Sequence, residues 1–265
     1  MTALTIQKLH FDDCESEFER SYFDWGRGWG GDSPEPDWGK ASPEQRRAIG
    51  YRGYQLYDGW PPVLDDDVGA LESYVSVGIN SRVILNDVVR FLVHKDRARP
   101  LLARIPVRVP LEDATDEQVA VAAQLIDLFC SIPKLGRGKV TKVLHKKRPE
   151  MIPVIDSVVT DFLWKNFPHL LTEGSSTAEV LLVYRMLLNS RREPLHRLQA
   201  NLRETGFQLG TARILSHLVW LGWNAQVDAY GFGPPLKSVW GTDSLDQARQ
   251  RARAMWEEQR GATGR

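Results

Sequence analysis

Apolar residues along this chain recur every three to four positions, and that period predicts helices over most of its length. Asp65–Asp67 can cap a helix running to about Val77, with Val68, Leu71, Val75 and Gly78 on one face. Asn80 or Ser81 starts the next, where Val83, Ile84, Val88, Phe91 and Leu92 keep helical spacing. Arg97–Pro110 contains three prolines and reads as a short helix followed by a loop. Thr115 then caps a long helix through Ala120, Ala123, Leu125, Ile126 and Phe129, which ends near Cys130. Pro133–Gly138 reads as a tight turn, Lys139–Lys147 as a second helix and Arg148–Val154 as a connection to a helix from Asp156 to about Phe167. Further helices are expected at Thr177–Leu188, Glu193–Glu204 and Gly210–Leu221, with a polar one over Ser244–Glu258. Only Ile105–Val109 alternates like a strand, so the expected fold class is all-α, a two-lobed helical bundle.

Residues 1–62 break this pattern. From Trp25 to Pro62 the chain is rich in Gly, Pro, Trp and Tyr, which predicts an irregular segment with one short helix around Pro43–Ile49. So many aromatics should fold it onto the body formed by residues 63–265. Nine tryptophans crowd towards the two ends of the 265 residues.

Formal net charge is zero, which removes any global argument for nucleic acid and leaves only local clustering. The two cysteines, Cys14 and Cys130, lack metal-ligand spacing, so neither an iron–sulfur cluster nor a cysteine-rich zinc site is expected. They suit a reducing cytoplasm. The first residues show no signal peptide, and no apolar run approaches the ~20 residues of a membrane span.

The informative segment is SIPKLGRGKVTKVLHKKRPEMIPVIDSVVTDFL, residues 131–163. Gly136 and Gly138 can give the turn positive φ and let backbone amides approach an anion closely. A turn feeding a helix N-terminus presents unsatisfied donors that suit a phosphate. Lys134, Arg137, Lys139, Lys142, Lys146, Lys147 and Arg148 surround it, with no acid before Glu150. In a neutral chain, that concentration is the footprint expected of contacts to a DNA backbone.

This segment resembles the helix-hairpin-helix DNA glycosylases, whose hairpin reads roughly L-P-G-V-G-x-K-T-A and is followed, about 18 residues after the lysine, by V-D-[TS]. Laid without gaps, Ile132-Pro133-Lys134-Leu135-Gly136-Arg137 matches the hairpin start, within a helix–turn–helix spanning residues 117–147. Gly138 falls on the lysine position, and Asp156, in Ile155-Asp156-Ser157-Val158, falls on the aspartate. The phrase KVLHKKRPEMIPVIDSVV, with Val63–Val77 and Arg213–Trp220, is also similar to an uncharacterised bacterial family sharing the hairpin and aspartate.

The resemblance implies base excision from double-stranded DNA. A carboxylate at Asp156 would stabilise an oxocarbenium-like sugar and orient water. The target base must first be flipped into a pocket. Trp25, Trp29, Trp38, Trp60, Trp220 and Trp223 are candidate stacking surfaces, each equally readable as packing. Lys134, Gly136, Arg137, Gly138, Lys139 and Lys142 are the candidate DNA contacts. Glycine at the lysine position implies a monofunctional enzyme that leaves an abasic site; a one-residue gap would bring Lys139 into the slot instead. Asp156 also reads simply as a helix cap. The alternative is a non-catalytic hairpin protein that only binds DNA. His145 reads as a phosphate contact or a structural residue, and Asp65–Asp67 as a solvent-facing acidic run rather than a metal site. Arg191-Arg192 and Arg249–Arg253 read as solvated faces. The expected protein is a cytoplasmic monomer that needs no cofactor or metal, serving repair or defence against modified phage DNA.

Overall fold

The computed structural model describes residues 57–59, 61–73, 85–204 and 208–227. Residues 1–56, Trp60, residues 74–84 and 205–207, and residues 228–265 lie outside them, and with them the expected irregular segment and the expected helices over Pro43–Ile49 and Ser244–Glu258. Among the described residues there is no strand, so Ile105–Val109 is an irregular link rather than an extended ladder partner. The fold is all-helical.

In chain order the helices are α1 (Leu85–Val93), α2 (Lys95–Leu102), α3 (Asp116–Cys130), α4 (Arg137–Lys147), α5 (Ser157–Asn166), α6 (Thr177–Ser190), α7 (Arg192–Glu204) and α8 (Thr211–Val227). Their starts follow local chemistry. Thr115 and Gln118 close a reciprocal capping box on α3, and Ser176 and Glu179 do the same on α6. Asp156 caps α5 by accepting from the amides of Val158 and Val159.

One continuous apolar cluster joins these helices, with α3 packed against α6 and α8 against α5. Phe129, Leu144, Phe162, Tyr184 and Leu215 are fully buried within it. Each such side chain contributes roughly 1.5–3 kcal/mol relative to exposure. Among the described residues no helix is long and apolar enough to cross a membrane.

The basic run at the end of α4 is part of this interior. Lys147 is fully buried and pairs with Asp65 and with Glu72 at 3.1 Å. The Arg148 guanidinium is buried too. It donates to the carbonyls of Ile105 and Leu102 at 2.8 Å, to that of Asp65 at 3.0 Å, and to the Asp66 carboxylate. Asp67 faces Lys95 and Arg99. Asp65 and Asp66 are exposed and Asp67 is half-exposed, as a solvent-facing acidic run should be, and the run is also one half of an ion-pair strip. Cations buried this deeply persist only because nearly every donor has an acceptor. Arg148 also closes the C-terminal end of α2, where unsatisfied carbonyls favour a cation.

Candidate functional site

The turn from Ser131 to Gly136 joins α3 to α4. Its one residue with positive φ is Lys134, at 72°; Gly136 is extended at φ −81° and serves as the N-cap of α4. The expectation that the glycines would take the left-handed conformation is thus corrected. Lys134 bears that cost with its side chain exposed. Gly136 has no capping side chain, and the amides of Gly136, Arg137 and Gly138 have no intramolecular acceptor among the described residues. Three adjacent donors are therefore left over at the positive end of α4.

Gly138 is glycine for a different reason. A Cβ built there would lie 3.3 Å from Cα of Asp156 and 3.5 Å from its Cβ. The Asp156 backbone thus rests directly on the first turn of α4. The link after α4 delivers it there by running back along one face of that helix. Ile152 meets His145, whose Nδ1 donates to its carbonyl at 2.7 Å, and the Ile155 amide donates to Thr141 Oγ1 at 3.0 Å. Asp156 then meets Gly138. Positions 145, 141 and 138 are successive contacts down α4, spaced by about one turn. The 18-residue offset between Gly138 and Asp156 is therefore the length of a path out along α4 and back.

At the end of that path the two capping bonds both fall on Asp156 Oδ1, at 3.0 and 3.1 Å. Oδ2 holds no protein donor among the described residues. Gly138→Val is expected to destabilise the fold by about 1–3 kcal/mol through the clash with Asp156. Gly138→Ala should stay within about 1 kcal/mol, because gained helix propensity offsets a tight contact. Urea unfolding of the two variants measures both.

The remaining sequence candidates divide. Lys134 is exposed, and Arg137 is half-buried with Nη2 3.5 Å from Thr177 Oγ1. Lys139 bonds the buried Asp87 at 2.8 Å and lies near the turn. Lys142 is buried, as are Lys146, Lys147 and Arg148, so the exposed basic stripe expected from the sequence is not formed. Burial pulls the Lys142 amine down; the Asp156 charge opposes that shift and Arg213 adds to it. Trp220 packs on the core, while Trp25, Trp29, Trp38, Trp60 and Arg249–Arg253 lie outside the described residues, as does the side chain of Trp223.

Behind Lys142 lies a polar cluster that sequence reasoning missed. Asp58 accepts from Arg213 Nε at 2.7 Å and Nη2 at 3.3 Å, and lies 2.7 Å from His217 Nε2. Tyr57 donates its hydroxyl to the Lys142 carbonyl at 2.6 Å, and its ring lies 4.1 Å from the Lys146 ammonium. Burial opposes ionisation of Asp58, but Arg213 and His217 together hold its carboxyl well below the usual range. Burial, then Arg213, lowers His145 to about 3 and His217 to about 4, so both rings are neutral near pH 7. The signal was present: Arg213, Ser216 and His217 interrupt the apolar face of α8 at helical spacing.

A cleft of about 640 Å³ opens at the other end of α4, where His145 and Lys146 line it together with Glu112, Glu150 and Arg203. Asp156 does not line it. Gly138 and His145 are seven residues apart on α4, or about 10 Å along its axis. Among the described residues no group of three or more His, Cys, Asp or Glu side chains is arranged to hold a metal ion.

No curated protein and no solved structure matches the chain. Residues 46–223 match the model of a family described as a family of unknown function, DUF6308. That span is more than half of the 265 residues, and the chain belongs to the DUF6308 family.

Proposed function

We propose that this protein is a monofunctional DNA glycosylase of the helix-hairpin-helix kind, in which α3, the Ser131–Gly136 turn and α4 form the hairpin. The observation that carries this reading is the contact between Gly138 and Asp156, which seats Asp156, with one carboxylate oxygen outside its cap, on the first turn of the helix whose leading amides have no backbone acceptor among the described residues. Amides at a helix start suit a DNA phosphate. A carboxylate beside them suits the positive charge that develops on a sugar losing its base.

Two details support the hairpin. Lys134 occupies the position of the first glycine in the resembled motif, and its backbone has the positive φ that such a glycine would supply. Gly138 occupies the lysine position, and a side chain larger than a methyl there would press on Asp156. Without that lysine amine, no Schiff base forms at position 138, and water activated at Asp156 Oδ2 is the attacking group. The phosphate contacts of this reading are the amides of Gly136, Arg137 and Gly138, with Lys134 and Arg137 as flanking cations. Lys139 contributes from its pairing with Asp87, and Lys142 acts from beneath the site rather than on the phosphate.

The test is incubation with duplexes carrying a panel of damaged bases and modified pyrimidines, followed by alkali to cut abasic sites. Strand breaks that need alkali and one class of lesion are the expected result. No breaks on any substrate would overturn the enzymatic reading. Salt-dependent duplex binding that then survived Asp156→Asn but fell in a Lys134/Arg137/Lys139 neutralised variant would identify the non-catalytic alternative.

A further inference from the structure

The cleft at the C-terminal end of α4 is built differently from the Asp156 site. Glu112, on the short 3-10 turn Leu111–Asp113, is buried in its wall. Its Oε1 accepts from the Thr211 hydroxyl at 2.7 Å, and its Oε2 is buried with no hydrogen-bond partner among the described residues. A buried polar atom left unpaired carries a desolvation penalty, larger where it bears charge. Glu150 lies in the same wall, against Gly210, where a Cβ would come within 2.8 Å of Glu150 Oε2. Burial raises the Glu150 carboxyl; Arg203 opposes that, and the negative charge of Glu112 adds to it. The wall therefore gains most from a ligand that brings N–H donors.

The rest of the cleft narrows the ligand. Pro62, Val107, Pro110, Pro149 and Leu209 supply apolar faces of the kind that hold a flat ring. Arg108 and Arg203 are exposed, and both line the cleft. Guanidinium groups so placed fit a phosphate. The volume of about 640 Å³ lies within the range of small-molecule sites, roughly 300–1,000 Å³.

We infer that this cleft binds a free purine nucleoside 5′-monophosphate, with a guanine edge donating its adjacent ring and amino N–H groups to Glu112 and Glu150, and the phosphate held by Arg108 and Arg203. The inference is independent of the glycosylase reading, because Asp156 does not line the cleft.

Titration calorimetry of the full chain with guanosine monophosphate, adenosine monophosphate, guanosine and inorganic phosphate tests it. Guanosine monophosphate should bind saturably and at least about tenfold more tightly than the adenine nucleotide, which offers fewer donors. Guanosine should bind more weakly, and phosphate alone should give no saturable heat. Glu112→Gln should weaken the guanine nucleotide about tenfold or more, because the amide repels one of the ligand's donors. Arg203→Ala, at an exposed position that does not threaten folding, should weaken the nucleotide and leave guanosine unchanged. Absence of saturable binding by both guanine ligands, or an affinity for the nucleotide that Arg203→Ala leaves unchanged, would overturn the inference. Neither outcome touches the alkali assay at Asp156.

Discussion

Asp58→Ala is expected to cost the fold about 3–5 kcal/mol, seen as a large fall in the urea midpoint with the slope retained. The Asp58 carboxylate is 1% exposed, and the Arg213 guanidinium it faces is 2% exposed. Removing the anion leaves Arg213 buried beside Lys146 and the His217 ring, without the carboxylate that accepts two of its bonds and balances its charge. Asp58→Asn should cost less, since an amide oxygen still accepts one bond, but it cannot balance the charge. The same cluster sets the wild-type response to pH. His145 and His217 have native pKa values of about 3 and about 4, below the unfolded 6.5. As pH falls below 6.5 the unfolded chain takes up protons that the native rings refuse, so stability declines from about pH 6.5 towards 4. Asp58, held below its unfolded value of 3.8, extends the decline into stronger acid. At the alkaline end Lys146, lowered to about 8 from 10.5, acts with the same sign. Its native form loses a proton before the unfolded one does, and stability rises over that interval. Urea midpoints across pH 4 to 10 should therefore climb at both ends of the range, with Asp58→Ala lowest throughout.

That cluster also marks where sequence reading stops. Helix positions were legible because their signals are local: Thr115 with Gln118, Ser176 with Glu179, and Asp156 ahead of an apolar run each announce a helix start within four residues. The offset between Gly138 and Asp156 was legible too, since a helix and an extended return have fixed rises per residue. Charge was misread. Lys147 and Arg148 look like a phosphate-binding run when only their neighbours are considered, yet their partners Asp65, Asp66 and Glu72 lie 75 to 82 residues away. The acidic run Asp65–Asp67 in a chain of zero net charge offered a partner for the basic run at the end of α4. Positive φ at Lys134 was hidden for another reason. Glycine is the residue that advertises such a conformation, and here the turn places lysine there while Gly136 and Gly138 serve the helix cap and the Asp156 contact.

Asp156 is a helix cap, and the proposed function gives it a second role that one pair of substitutions separates. As a cap, it needs only an acceptor oxygen aimed at the Val158 and Val159 amides. Asparagine provides that oxygen as well as aspartate does, so Asp156→Asn should keep wild-type stability to within a few tenths of a kcal/mol. Alanine provides none, and Asp156→Ala should lose about 0.5–2 kcal/mol. In the proposed role, activating water and facing the sugar cation, Asp156 would need its negative charge. Neither substitute has one, so both variants should lose base excision by about 10²–10⁴-fold in single-turnover assays. The two roles therefore predict different orders: stability falls as Asp, Asn, then Ala, with Asn close to Asp, whereas activity falls in one step at the loss of charge. An Asp156→Asn variant that excised bases at the wild-type rate would reduce Asp156 to a cap, even in an enzyme that cuts DNA. A variant with the wild-type fold, intact duplex binding and no excision would fix the chemistry on Oδ2, the carboxylate oxygen that the cap leaves unused.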